Sequence, residues 1–165
     1  MAAVASSGTA VVTLPSNTEI LITREFDAPK HLVYKALTTS ELIKRWWTAK
    51  RGDATVAEVD LRVGGKWRYV MIADGGFEVG FHGEYREIVA NDLLVYTEVY
   101  EGIPDGDENA ALITMKLVEQ DGRTTLTVLT EMATKEGRDM ILESGMEAGM
   151  QDAYDLLEEV AISLQ

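Results

Sequence analysis

The stretch KEGRDMILESGMEAGMQDAYDLLEEVAISL, residues 135–164, decides the fold. It is the one long segment whose apolar residues recur at helical instead of strand spacing. Leu142, Met146, Gly149, Ala153, Leu156, Val160 and Leu164 follow one another by three or four residues, which lines them along one side of a helix about eight turns long. Glu136, Asp139, Glu143, Glu147, Asp155 and Glu158 take the opposite side. A helix of this kind lies at the surface with its stripe against a core. Gly149 and Ala153 sit within the stripe, where small residues serve tight packing or let a sheet face or a ligand come close.

What precedes the helix is mostly strand, so its partner is the inner face of a sheet. Residues 19–27 alternate Ile20, Ile22, Arg24 and Phe26 against Leu21, Thr23 and Glu25, which predicts a first strand. Pro29 favours a helix start because its missing N–H is one of the orphan donors there. A helix over 29–37 follows, then a short one over 41–46 with Ser40 able to cap it. Six further strands are predicted over 55–61, 66–73, 77–89, 93–101, 110–119 and 124–132. Gly64-Gly65, Asp74-Gly75-Gly76, Ala90-Asn91-Asp92, Pro104-Asp105-Gly106 and Asp121-Gly122 supply the turns between them. The order β-α-α-β-β-β-β-β-β-α is α+β, a meander that curls around the last helix.

These elements fall in an order and spacing that resemble a known family. The residues that carry the resemblance are Phe26-Asp-Ala-Pro-x-x-x-Val-Tyr-x-Ala-Leu-Thr, Trp46-Trp47, Gly64-Gly65-Lys-Trp67, Gly83-Glu-Tyr-x-Glu-Ile88 and Gly145-Met146-x-x-Gly149. Together they resemble the heat-shock protein 90 ATPase activator homologue family, a branch of the START-like (SRPBCC) superfamily. The resemblance runs from about residue 19 to 164 and implies the helix-grip, Bet v-like fold, a curved antiparallel sheet wrapped around a long C-terminal helix. It also implies an apolar pocket between sheet and helix. After the second glycine of the last motif the family commonly has Trp, where this chain has Met150; a flexible thioether in place of a rigid ring gives such a pocket a different shape.

At 165 residues the chain is one domain's worth and can bury a substantial core. Residues 1–15 have no periodic face and read as a disordered leader, with the helix-grip domain over 16–165. The leader lacks the basic and continuous apolar regions of a signal peptide, so the cytoplasm is the expected location. No apolar run is long enough to span a bilayer. The absence of Cys removes disulfides, thiolate nucleophiles and thiolate metal ligands. A net charge of −13 repels phosphate backbones and anionic lipid, which excludes nucleic acid and membrane surfaces as partners and favours neutral, cationic or apolar ones. A monomer or homodimer is expected.

Candidate chemistry is sparse. His31 and His82 stand alone in sequence, without a second histidine at metal-ligand spacing, so neither a metal nor a cofactor is expected. There is no Gly-x-Ser-x-Gly elbow and no phosphate-binding loop of Walker form. The strand over 93–101 has two faces: Leu93, Val95, Thr97 and Val99 form the more apolar one and the expected core side. The reverse orientation buries Glu98 beside Tyr96 and makes it a carboxyl of raised pKa, a plausible acid or base. Arg24, which interrupts an apolar strand face, is its candidate partner.

Aromatic and methionine residues give the clearest site. Trp67, Tyr69 and Met71 share one strand face, and Phe81 lies on the face of the next. With Trp46, Trp47, Tyr96, Glu98, Met146, Gly149, Met150 and Ala153 they form the expected ligand pocket. The leading expectation is a binding protein for a small apolar or amphipathic molecule. The resemblance also implies two alternatives: a chaperone partner, although the named activator relies on an additional domain for which this sequence has no room, and an enzyme of the cyclase or hydrolase kind, as other START-like branches supply.

Overall fold

A computed structural model of the chain describes residues 9–102 and 109–165. The turn expected at Pro104-Asp105-Gly106 and the first eight residues of the leader lie outside the described residues.

Eight strands form one antiparallel sheet: β1 (Val11–Thr13), β2 (Glu19–Phe26), β3 (Gly52–Val59), β4 (Lys66–Ala73), β5 (Glu78–Val89), β6 (Leu93–Tyr100), β7 (Ala111–Gln120) and β8 (Arg123–Glu131). Their spatial order is β1-β2-β8-β7-β6-β5-β4-β3. The meander β3 to β8 pairs sequential neighbours, and β8 closes back onto β2 along eight registered pairs, from Glu19↔Glu131 to Phe26↔Thr124. Irregularities between Tyr85 and Glu87 in β5, and between Ala54 and Val56 in β3, bend the sheet locally. Two helices, α1 (Lys30–Thr38) and α2 (Ser40–Trp46), connect β2 to β3. The indole N–H of Trp46 donates to the Ala36 carbonyl at 2.9 Å and fixes one helix on the other. This is the helix-grip fold.

Alternation explains the sheet's inner face. Along β2, Ile20, Ile22, Arg24 and Phe26 are buried while Leu21, Thr23 and Glu25 are only partly so. The same period places Thr124, Leu126 and Val128 of β8 in the core.

The C-terminal stretch departs from the expected single helix. It forms α3 (Lys135–Glu143) and α4 (Met146–Ser163), separated at Gly145, whose φ of 83° and ψ of 18° are left-handed. Glycine adopts that conformation without steric cost, and a helix cannot continue through it. The break also resets the helical phase. Ala153 and Val160 of the expected stripe are buried, but Tyr154, Leu157 and Ala161 bury the same side, while Leu156 and Leu164 are only partly covered. Glu158, expected in water, turns inward instead and accepts hydrogen bonds from Arg24 Nη2 at 3.2 Å and the Asp27 backbone N–H at 2.7 Å.

Residues 10–13, expected within the disordered leader, are ordered. Val11, Val12 and Thr13 pair with Thr23, Ile22 and Leu21. Ala10 is buried, and its N–H and carbonyl both bond the side-chain amide of Gln151 on α4, each at 2.9 Å. Each of these part-buried hydrogen bonds contributes about 1 kcal/mol, so removal of residues 1–13 is expected to lower the melting temperature by roughly 4 to 8 °C for a domain of this size. Differential scanning calorimetry checks this; an unchanged transition would mean that β1 contributes nothing.

Candidate functional site

Between the inner face of the sheet and α4 lies a cleft of about 500 Å³. Its wall is built strand by strand. Trp67, Tyr69 and Met71 come from β4, Phe81 and Tyr85 from β5, Leu94, Tyr96 and Glu98 from β6, and Ile113 and Met115 from β7. Trp46 and Trp47 close it at the end of α2, and Met146, Gly149, Met150 and Ala153 form the α4 side. All twelve residues named from the sequence line this cleft. Sequence reasoning left out, among others, Tyr85, Leu94, Ile113, Met115 and Tyr154. Tyr154 carried a readable signal, since it precedes Leu157 and Ala161 by three and seven residues on an alternative helical stripe.

The aromatic wall is continuous. Trp47 meets Tyr69 edge-on at 5.5 Å between ring centroids and Phe81 at 6.0 Å. Trp67 lies 4.7 Å from Tyr69 and 5.6 Å from Tyr96, and Tyr96 reaches Tyr85 at 6.0 Å. These separations are those of favourable edge and offset ring pairs. Trp67, Tyr85 and Leu94 are buried, whereas Met71, Phe81, Met146 and Met150 are half-buried; the cleft therefore opens toward the methionines.

Trp67 is held by a close approach. Its indole N–H crosses the backbone of Gly83, its register partner, and donates to the Thr97 carbonyl at 3.1 Å. A Cβ on residue 83 would stand 1.7 Å from that carbonyl oxygen and 2.6 Å from the indole nitrogen. Only glycine leaves room for the crossing.

The orientation of β6 reverses the expectation. Leu94, Tyr96 and Glu98 face the cleft, and Leu93, Val95 and Thr97, the more apolar set, are half-buried on the other side. Glu98 therefore stands among rings, half-buried, and desolvation pushes its carboxyl pKa up to about 7. Arg24 is not its partner. That guanidinium is fully buried beneath α4, pairs with Glu158 at 3.2 Å and Asp155 at 3.3 Å, and lies 4.6 Å from the centre of the Phe26 ring. Burial lowers its pKa, against the pull of the two carboxylates.

The phenols of the wall share the desolvation. Burial raises the pKa of Tyr69, Tyr96 and Tyr154, with the Glu98 charge adding to each, and takes Tyr85 to about 12. All four remain neutral donors throughout the physiological range. The hydroxyl of Tyr96 points at Met115 Sδ, 3.9 Å away. Outside the cleft, Arg51 bonds Asp152 of α4 at 2.7 Å beside Gly149.

Neither histidine belongs to this site. His31 is exposed on α1, and His82 sits on the outer face of β5, 2.8 Å from Glu101. The Glu101 carboxyl, gripped by both arms of Arg68 and then by His82, falls to a pKa of about 2. Among the described residues no three His, Asp or Glu side chains gather as a metal site, and no helix is long and apolar enough to cross a membrane.

Comparison with known proteins covers most of the chain. A family model described as Activator of Hsp90 ATPase homolog 1-like protein matches residues 27–161. A protein from Rhodobacter sphaeroides has a similar crystal structure, with a TM-score of 0.85 and 25% identity over 94% of this chain and 99% of that one. A solution structure from Arthrobacter aurescens gives 0.82 and 25% over 93% and 91%, and a crystal structure from Nitrosomonas europaea gives 0.80 and 24% over 91% and 97%. No curated protein sequence matches at a significant level.

Proposed function

The chain belongs to the family of Activator of Hsp90 ATPase homolog 1-like proteins, and we propose that it acts there as a binding protein for a small apolar or amphipathic molecule, held in the cleft between sheet and α4. The observation that carries this reading is the cleft itself. Its volume of about 500 Å³ falls within the roughly 300–1,000 Å³ of ordinary small-ligand sites. Its lining is the aromatic and thioether surface that such ligands bury, with a few polar groups set among it. A core packed solid leaves no space of this size.

Ala153 lines the cleft from α4, so a larger side chain there would take up part of the space. Ala153→Phe is expected to weaken binding of the neutral fluorescent probe Nile red at least tenfold, while overpacking costs about 1 to 3 kcal/mol of stability. Fluorescence titration and urea unfolding measure the two. Equal probe binding by wild type and variant would place the probe elsewhere, and failure of wild type to bind it would count against a ligand site.

A further inference from the structure

Among the described residues lining the cleft, Glu98 is the one carboxyl, and no Lys, Arg or His is among them. Glu98 makes no ion pair with any described residue: Arg24 is taken by Glu158 and Asp155, and Arg51 by Asp152. Around it stand the rings of Tyr69, Tyr96 and Tyr154, with Trp67 packed on the first two. An unpaired acid inside a chain of net charge −13 is costly unless something else supplies the countercharge. Aromatic faces attract cations through their quadrupoles, most strongly where water is excluded. Acid, rings and overall field all favour the same kind of guest.

We propose that the cleft selects amphipathic cations, molecules with an apolar body and a protonated amine or quaternary ammonium head, the head resting at Glu98 against the Tyr69, Tyr96 and Trp67 rings. This rests on the ligand-binding reading of the cleft and names the class of ligand. Met71, Phe81, Met146 and Met150 leave the apolar body a yielding surface toward the open end.

The proton balance gives a signature. In the empty cleft desolvation holds the Glu98 carboxyl near a pKa of 7, so a large share is protonated below neutrality. A cation binds the carboxylate form, so binding at low pH must expel a proton. Affinity for a quaternary ammonium, which does not titrate itself, therefore rises as pH climbs through 7 and then levels. The other ionisable groups facing Glu98 are the phenols of Tyr69, Tyr96 and Tyr154, with Tyr85 beyond them; all titrate far above this window. A neutral guest accepting a hydrogen bond from the protonated acid shows the opposite slope.

Decyltrimethylammonium, decanol and decyl sulfate carry one chain with three heads, and isothermal titration below their micelle-forming concentrations compares them. The cation is expected to bind wild type at least tenfold more tightly than decanol or decyl sulfate, and to gain about tenfold between pH 6 and pH 8. Glu98→Gln removes a carboxylate whose burial opposes folding, so the variant folds. It is expected to lose about tenfold in affinity for the cation relative to decanol, and to lose the pH slope. Decanol bound as tightly as the cation, or a flat or falling pH profile in wild type, would overturn the selectivity while leaving the binding site standing. Failure of all three compounds to bind wild type would overturn both.

Discussion

Gly83→Ala is expected to lower stability by about 3 kcal/mol or more, beyond the usual 1 to 3 kcal/mol of an overpacked core site. The added methyl would meet the Thr97 carbonyl oxygen at 1.7 Å, and that oxygen belongs to the neighbouring strand. Relief requires β5 and β6 to part, or Trp67 to abandon its hydrogen bond and the cleft wall with it. Gly80 of the same strand is the control. A Cβ there meets chiefly the end of the Glu101 side chain, at 2.7 Å, so relief disturbs only its partly exposed pairs with Arg68 and His82, each worth about 1 kcal/mol or less. Urea unfolding should show Gly80→Ala within about 1 kcal/mol of wild type and Gly83→Ala far below it. Comparable values for the two would mean that the crossing of Trp67 over Gly83 is not what holds the wall.

The second large effect is expected at Arg24. Its side chain is 1% exposed, and two of its three nitrogens, Nε and Nη1, find no hydrogen-bond partner among the described residues. The third carries the whole link to α4, through Glu158 and Asp155. Arg24→Ala removes the charge, leaves the inward-turned Glu158 without its main counter-ion and opens a void under Tyr154; breaking a buried pair from one side costs about 3 to 5 kcal/mol. Arg24→Met keeps most of the volume. Combined with Glu158→Gln it is expected to recover more than half of that loss, because an apolar replacement of a buried pair is often neutral. Arg123→Ala sets the scale, since its pair with Glu25 is partly exposed and is worth less than about 1 kcal/mol. Thermal unfolding of the four proteins tests the ordering. A double variant no more stable than Arg24→Ala would show that the pair itself, and not the filled space, holds α4.

Most strands were legible because their alternation coincides with burial, as in β2, and because glycine turns mark their ends. The elements that escaped did so for identifiable reasons. β1 spans only three residues, too few for alternation to show, and the residue before it is anchored by Gln151 of a helix far along the chain. No local pattern announces it. The break at Gly145 was hidden because Leu142 and Met146 keep a helical spacing of four across it, so periodicity reads straight through a residue whose left-handed backbone stops the helix. The face of β6 was misjudged on hydrophobicity alone. A strand that borders a cleft can turn Tyr96 and Glu98 inward, because an open space relieves the burial that a packed core would impose. The aromatic lining of the cleft was readable from alternation on adjacent strands, which the pleat translates into a shared face. Arg24 was singled out correctly as an oddity on an apolar face, but its carboxylates come from a helix more than a hundred residues later.

All three tryptophans of the chain, Trp46, Trp47 and Trp67, border the cleft. The protein's entire indole emission therefore originates at one place, with no background from remote rings. Trp46 and Trp67 are fixed by hydrogen bonds to backbone carbonyls, whereas Trp47 is the more exposed of the three and leans on Tyr69 and Phe81. A guest entering from the methionine side would displace water from Trp47 first, so its arrival would be written as a blue shift of one fluorophore over two steady ones. The proposed binding would thus have an optical gauge of its own, usable on unlabelled protein.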